Sequence, residues 1–280
     1  MKAALSLLFA LASAMTARCV EIIAHRGASH DAPENTVAAF QLGWEQGADA
    51  NELDLHLTKD GQIVVLHDPT TKRTAGVDRK VVEQTLDELR ALDAGSWKGA
   101  KWGGERIPTL EEALATIPEG KRFFLEIKCG PEILPELQRV LKACGKSPEQ
   151  LVIIGFDYET MRQAKARLPE LQTFWLVSPK KESQGTKPPI SELIEQAKAA
   201  RLDGLNLNHG FALDAAFVAA VKQAGLKLYT WTVNDAAVAR KLAALGVEGI
   251  TTDRPKWLRE QLQAEAAPNG HALPGKARQP

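Results

Sequence analysis

LHLTKDGQIVVLHD, residues 55–68, decides how the rest of the chain is counted. Two short apolar runs flank Lys59-Asp60-Gly61, and Asp-Gly between such runs is a hairpin turn. The second run is therefore predicted to return antiparallel to the first. It interrupts an otherwise regular alternation of β-like and helix-like segments. EIIAH (21–25) precedes TVAAFQLGWEQG (36–47), FFLEIK (123–128) precedes ILPELQRVLKACG (133–145), and LKLYTWTV (226–233) precedes DAAVARKLAALG (235–246). The helical runs carry apolar residues at three- and four-residue spacing, and several stop at glycine, as at Gly47, Gly145 and Gly225. The strand runs are short and nearly all apolar, as parallel strands covered on both faces are. With the returning strand set aside, eight β-then-α units remain, and the expectation is an α/β TIM (β/α)8 barrel. An open doubly wound sheet is the alternative, but its Gly-x-Gly-x-x-Gly signal after the first strand is missing. The excursion from about Thr70 to Pro108 is long for a barrel loop. Because it follows the hairpin, it is expected to be a small insertion covering the C-terminal mouth.

The chain has 280 residues, 44% hydrophobic and 25% charged, enough for one large domain with a full core. Lys plus Arg and Asp plus Glu both number 35, so there is no general attraction to nucleic acid or to an anionic membrane. Any phosphate chemistry has to be local. The first residues, MKAALSLLFALASAMTARC, combine one Lys, an apolar run from Ala3 to Ala12, and small residues at Ala12 and Ala14. That layout predicts a signal peptide over residues 1–17, cleaved near Ala14 or Ala17, and a periplasmic or secreted protein. An apolar first helix of the domain is the competing assignment. The run is short for a bilayer span, and Arg18 before Cys19 disfavours a lipid anchor, so no stable membrane anchor is expected. Residues 265–280 are Pro/Gly/Ala-rich and read as a disordered tail, which leaves 20–264 for the barrel. Cys19, Cys129 and Cys144 make no disulfide framework.

Barrels of this kind do their chemistry at the C-terminal ends of the strands, and there the unusual residues collect. The first strand ends in His25 and Arg26, where a merely structural segment would end on turn residues. The second carries Glu52 and Asp54, two positions apart and so on one side. The returning strand ends in His67-Asp68, the third in Glu126 and Lys128, and the eighth in Asp253 and Arg254; the seventh carries Trp231 and Asn234. Glu52, Asp54 and Glu126 are hard oxygen donors. Aimed at one point without a cation they would repel and raise each other's pKa, a conflict that Ca²⁺ or Mg²⁺ resolves. Zinc is disfavoured, because neither a Cys nor an adjacent His pair is on offer. Ion pairing of these carboxylates with Arg26 and Lys128 is the plainer assignment. His25 and His67 suit general acid–base work at neutral pH, and Arg26 and Lys128 suit the oxygens of a phosphate. The set reads as a phosphodiesterase site for a small-molecule substrate.

The same residues resemble a known family. AHRGASHDAPENTVAAF with GADANELDLHLTKDGQIVVLHD is similar to the glycerophosphodiester phosphodiesterases, and the similarity runs on through GSWKG, GGERIPTLEEAL, FFLEIK, YTWTVND and GITTDRP, roughly from Ile22 to Arg259. The paired HRG and HD motifs with Glu-x-Asp between them are far more specific than any one of them. The resemblance implies a TIM barrel with an insertion after strand two. It puts His25 and His67 on the acid–base histidines, Glu52, Asp54 and Glu126 on the divalent-metal carboxylates, and Arg26 and Lys128 on the phosphate-contacting cations. Trp231 falls on a tryptophan lining the substrate mouth. Glu34 and Asn35 fall on the PENT motif, which would hold the first loop and its histidine. The implied reaction is metal-dependent hydrolysis of glycerophosphodiesters to sn-glycerol 3-phosphate and an alcohol. This chain departs at Gly155, where serine is usual and where altered polar contacts at the mouth are expected, and at Cys129 after Lys128.

Other marked residues invite plainer assignments. His56 is as much hairpin support as substrate contact, His30 a surface residue, and His209 a weaker candidate for reaching substrate. Trp97 and Trp102 are expected to pack the insertion's own small core. Two rival functions stay open at this point. A lyase-like phospholipase D would act on lysophospholipids or sphingolipids with the same metal and histidines, and would need an apolar channel. A non-catalytic binding protein would be expected to have lost one of the chemical residues, and none is missing.

Overall fold

The computed structural model describes residues 20–179 and 189–264. The expected signal peptide, the expected tail and most of the polar loop 177–189 lie outside the described residues. The strands are β1 (Glu21–Ala24), β2 (Ala50–Leu57), β3 (Ile63–Val65), β4 (Arg122–Ile127), β5 (Leu151–Gly155), β6 (Gln172–Val177), β7 (Gly204–Asn208), β8 (Lys227–Trp231) and β9 (Gly249–Thr252). All but β3 are parallel and form a ring in the order β1, β9, β8, β7, β6, β5, β4, β2, closed by pairing of Ile23 with Ala50. The hairpin is where the turn chemistry put it. β2 outruns the ring, and its end, Leu55 to Leu57, pairs antiparallel with β3.

The helices are α1 (Val37–Glu45), α2 (Lys72–Ala75), α3 (Leu86–Arg90), α4 (Leu110–Ala115), α5 (Leu134–Ala143), α6 (Tyr158–Arg167), α7 (Ile190–Ala199), α8 (Ala215–Gln223), α9 (Ala236–Leu245) and α10 (Pro255–Gln263). A helix of nine or ten residues follows each barrel strand except β2, which the six-residue α4 serves after the insertion. Their starts are written in the sequence. Thr36, Asp157, Asp214 and Asp235 cap α1, α6, α8 and α9, and Thr109 with Glu112 makes a reciprocal capping box on α4. The barrel is thus the TIM barrel expected.

Two apolar layers hold it. The larger lies between the strands and the helices. The smaller fills the barrel interior with Ile23, Phe124, Phe174 and Tyr229, drawn from alternate strands. The Tyr229 ring stands 4.9 Å from Phe174 and 5.2 Å from Phe124, and each buried ring contributes about 1.5–3 kcal/mol. Gly249 makes the room, since a Cβ there would come within 2.5 Å of the Tyr229 ring.

The insertion carries α2 and α3 around a core of its own, with Val64, Leu66, Val81, Leu89, Ala94 and Ile107. The two tryptophans expected in that core are outside it: Trp97 is 41% exposed and Trp102 half-buried. The loop that carries them is held by a carboxylate instead. Asp93 accepts from the backbone N–H of Gly95, Ser96 and Gly104 at 2.8–3.0 Å and from Ser96 Oγ at 2.7 Å. Gly155 does not bear on the mouth as expected, because a Cβ there would meet Met161 of α6 at 2.6 Å. Cys129 and Cys144 are free.

Candidate active site

Alternate residues of β2 face into the barrel, so Ala50, Glu52 and Asp54 share one face, and Asp54 stands level with Glu126 on β4. One oxygen each from Glu52, Asp54 and Glu126 lies within 4.8 Å of the other two, and all three residues are buried. Burial pushes the Glu52 carboxyl well up, with Asp54 and Glu126 adding to it. Burial and the charge of Asp54 push Glu126 up to about 7. Asp54 goes the other way: burial alone would raise it, but the charges of Arg26 and Lys128 hold it below the usual range. Lys128 Nζ is 2.7 Å from Glu126 and 3.6 Å from Asp54. Even so, Glu52 Oε1 and Asp54 Oδ1 are buried with no hydrogen-bond partner. The plainer assignment, in which two cations satisfy three carboxylates, leaves these oxygens without a hydrogen bond. Buried orphans of that kind call for a ligand. The cluster fits a hard divalent cation, and its all-oxygen donor set suits Ca²⁺ and Mg²⁺ alike.

The loop after β1 is built to reach this cluster. Gly27 has φ +80°, and a Cβ there would lie 2.5 Å from the Ala39 backbone, so only glycine lets the loop close on α1. Arg26 and Asn35 take the left-handed conformation, with φ +55° and +59°. Arg26 N–H donates to Glu52 Oε2 at 2.8 Å, its guanidinium donates to Glu34 at 2.9 Å, and its Nε lies 3.2 Å from Asp54 Oδ2. Asn35 donates from Nδ2 to Asp54 Oδ2 at 2.8 Å and accepts from the Asp54 backbone N–H at 3.3 Å. Asn35 therefore fixes a carboxylate of the cluster, a closer role than holding the loop alone.

Each histidine is held by an aspartate. His25 Nδ1 meets Asp253 Oδ1 at 2.6 Å, and His67 Nδ1 meets Asp68 Oδ1 at 2.6 Å. A carboxylate only accepts, so each ring carries a proton on Nδ1 and turns Nε2 to other work. Asp253 is itself clamped by Asn234 Nδ2 at 2.5 Å and Ser29 Oγ at 3.1 Å. Burial would raise Asp253, but the hydrogen bonds from His25, Asn234 and Ser29 bring it down to about 2. Asp68 is held by Arg73 of α2, which donates to it at 2.8 and 3.0 Å and to Glu34 at 2.8 Å twice. One guanidinium thus ties the insertion to the first loop and lowers the Asp68 carboxyl, chiefly through its hydrogen bonds. Burial lowers His67 and so favours its neutral form, against the opposing pull of the Asp54 charge.

His25, Arg26, Glu52, His67, Glu126 and Lys128 line one cavity of about 190 Å³. Its other walls are Ile154, Phe156, Leu176, Asn206, Trp231 and Thr251. Trp231 packs edge-on against Phe156 at 5.4 Å, and Phe156 is 43% exposed. A larger hollow of about 520 Å³ lies between α1, α4 and the insertion, but Arg90 and Glu112 in its wall are paired at 2.6 Å and no histidine lines it. His56 donates from Nε2 to the His67 carbonyl at 3.2 Å and supports the hairpin. His209 is exposed and outside the cavity wall, and His30 pairs with Asp31 on the surface. Arg73, Phe156 and Asn206 were not anticipated. Only Asn206 carried a signal, as an amide in an otherwise apolar strand.

A barrel with three clustered carboxylates, two aspartate-held histidines and two cations at its C-terminal mouth belongs among the phosphoester-cleaving TIM barrels. Residues 25–257 match the model of the glycerophosphoryl diester phosphodiesterase family, and the chain is a member of that enzyme family. A glycerophosphodiester phosphodiesterase of Caldanaerobacter subterraneus is 37% identical over 245 residues, covering 85% of this chain and 95% of that protein. One from Bacillus subtilis is 32% identical over 250 residues, 83% of each chain. The solved structure of an Oleispira antarctica phosphodiesterase, in complex with the product sn-glycerol-3-phosphate, superimposes with a TM-score of 0.80 at 33% identity. That match covers 88% of this chain and 97% of the Oleispira chain.

Proposed function

We propose that this protein hydrolyses glycerophosphodiesters to sn-glycerol 3-phosphate and a free alcohol, with His25 and His67 as the acid–base pair and with Ca²⁺ or Mg²⁺ held by Glu52, Asp54 and Glu126. The observation that carries the reading is that both aspartate-held histidines and two of the three carboxylates line one small cavity. When bound, the cation polarises a phosphoryl oxygen and offsets the charge of its ligands. Arg26 and Lys128 balance the remaining phosphate charge. One imidazole takes the proton of the attacking oxygen at Nε2, and the other, protonated at both nitrogens, gives its Nε2 proton to the departing alkoxide. Trp231, braced by Phe156, walls one arm of the diester. The Oleispira relative's bound product is the expected phosphorylated product here.

The cavity volume favours a small deacylated diester over a lysophospholipid, whose acyl chain needs far more than about 190 Å³. Among the described residues no helix is long and apolar enough to cross a membrane. Export to the periplasm or medium is part of the proposal and rests on the leader pattern of residues 1–17. The test is product analysis with glycerophosphocholine, with and without chelator. Release of choline and sn-glycerol 3-phosphate only with divalent cation is expected; full turnover after exhaustive chelation would sink the metal assignment.

A further inference from the structure

In the ring of eight parallel strands β7 stands four places from β2, so Asn206 faces the carboxylate cluster across the barrel. Its register partner on β6 is Leu176, and both line the cavity with Ile154, Trp231 and Thr251. The Trp231 indole N–H donates to the Asn206 carbonyl at 3.2 Å, which fixes the strand beneath the side chain. Asn206 is 1% exposed, and its Oδ1 has no hydrogen-bond partner. A buried amide oxygen left without a donor is costly, and Oδ1 calls for one. Asn206, Ile154, Leu176, Trp231 and Thr251 are all neutral, so this wall does not suit the phosphate, and a quaternary ammonium has no N–H or O–H to give the amide oxygen.

We propose that Asn206 is a specificity-determining residue that hydrogen-bonds a neutral hydroxyl on the glycerol arm of the substrate. The carbon chain of that arm lies against Ile154 and Leu176, and the second arm leaves past the exposed Phe156. This rests on the function proposed above and says which arm of the diester enters the barrel.

The experiment compares glycerophosphocholine with its 2-deoxy and 3-deoxy analogues at saturating Ca²⁺, using the wild type, Asn206→Leu and Asn206→Ser. Thermal unfolding and Ca²⁺ affinity are recorded for each protein, and binding of sn-glycerol 3-phosphate and of propyl phosphate is measured by calorimetry. The wild type is expected to lose about 10–100-fold in kcat/KM on one deoxy analogue and to bind propyl phosphate correspondingly less tightly. Asn206→Leu should erase that discrimination mainly by raising KM for the parent, with Ca²⁺ affinity unchanged. Asn206→Ser carries the comparison if the leucine variant does not fold. A folded variant that keeps the full discrimination, or a wild type that takes both deoxy analogues as well as the parent, overturns the inference while leaving the function standing. A wild type that cleaves no glycerophosphodiester overturns both.

Discussion

The barrel carries a polar cluster at each end, one partly buried and one buried, and they are built on different terms. At the N-terminal end Glu21 accepts from Arg122 at 3.2 Å and from the Tyr229 hydroxyl at 3.0 Å, while Arg122 donates to Gln172 at 2.7 Å. One carboxylate meets one guanidinium, and a phenol and an amide take up what is left. At the C-terminal end three carboxylates face two cations, and two buried carboxylate oxygens accept no hydrogen bond. The first arrangement balances its charges within the chain and leaves no carboxylate oxygen orphaned, only the Arg122 Nε. The second is complete only with something added, and that is how a site differs from a strut. Both lie in one barrel, so the same scaffold supplies the control for tests of either end.

The comparison breaks most sharply on the histidines. His25→Ala and His67→Ala should each lower kcat by roughly 10²–10⁴-fold while leaving unfolding and cation affinity close to wild type. An activated nitrophenyl diester needs no acid at its leaving group, so it should rescue one variant and not the other. Rescue of both, or of neither, would mean that the two rings do not divide the work.

The opposite end should behave in the opposite sense. Arg122→Ala strands the partly buried Glu21 and should cost on the order of 3 kcal/mol in urea unfolding, with kcat near wild type. A stable but inactive Arg122→Ala protein would erase the distinction drawn between the two ends. Arg73 lies between these extremes. Its removal frees Asp68 and Glu34 together, and about a tenfold fall in kcat with little change in KM is expected. Arg73→Lys, which cannot make two bidentate pairs, should recover only part of it.

The smallest effect is one of pH. The Glu126 carboxyl is pushed up to about 7 in the fold, above its unfolded value, so its folded form binds the proton more tightly. That contribution to stability is full below about pH 4.5 and is lost as pH rises through 7. In chelator the wild type should therefore melt lower at pH 8 than at pH 5.5. Glu126→Gln should flatten that fall, and Ca²⁺ should cancel it in the wild type alone. A melting temperature in chelator that falls equally in wild type and variant would remove Glu126 from the account.

Much of this was legible in the sequence, and what was not has a common cause. The barrel could be read because each β-then-α unit is local, and one Asp-Gly turn identified the odd strand. His25, Glu52, Asp54, His67, Glu126 and Lys128 could be read because each sits at or near a strand's end, where the fold gathers them. Arg73 could not, since its meaning depends on Glu34 lying within reach 39 residues away. Asn206 required knowing which of two asparagines in GLNLN faces inward. Trp97 was assigned to a core on composition, but its loop is shaped by the Asp93 carboxylate and the ring stays out.

The chain enters and leaves the insertion at neighbouring points. Val65 N–H donates to the Pro108 carbonyl at 2.9 Å, and Val64 bridges to Thr109 across the same gap. Whatever hangs between His67 and Pro108 is thus mounted on a fixed two-point hinge plate. Lengthening it costs only the slowly growing entropy of a longer closed loop, about 0.6 kcal/mol for each doubling. The barrel's own strands need not shift to accommodate the change. Beyond α2, whose Arg73 ties Asp68 to Glu34, length at this edge can change while the histidine at its root keeps its address, so the segment works as a cartridge plugged into the frame at a few fixed contacts.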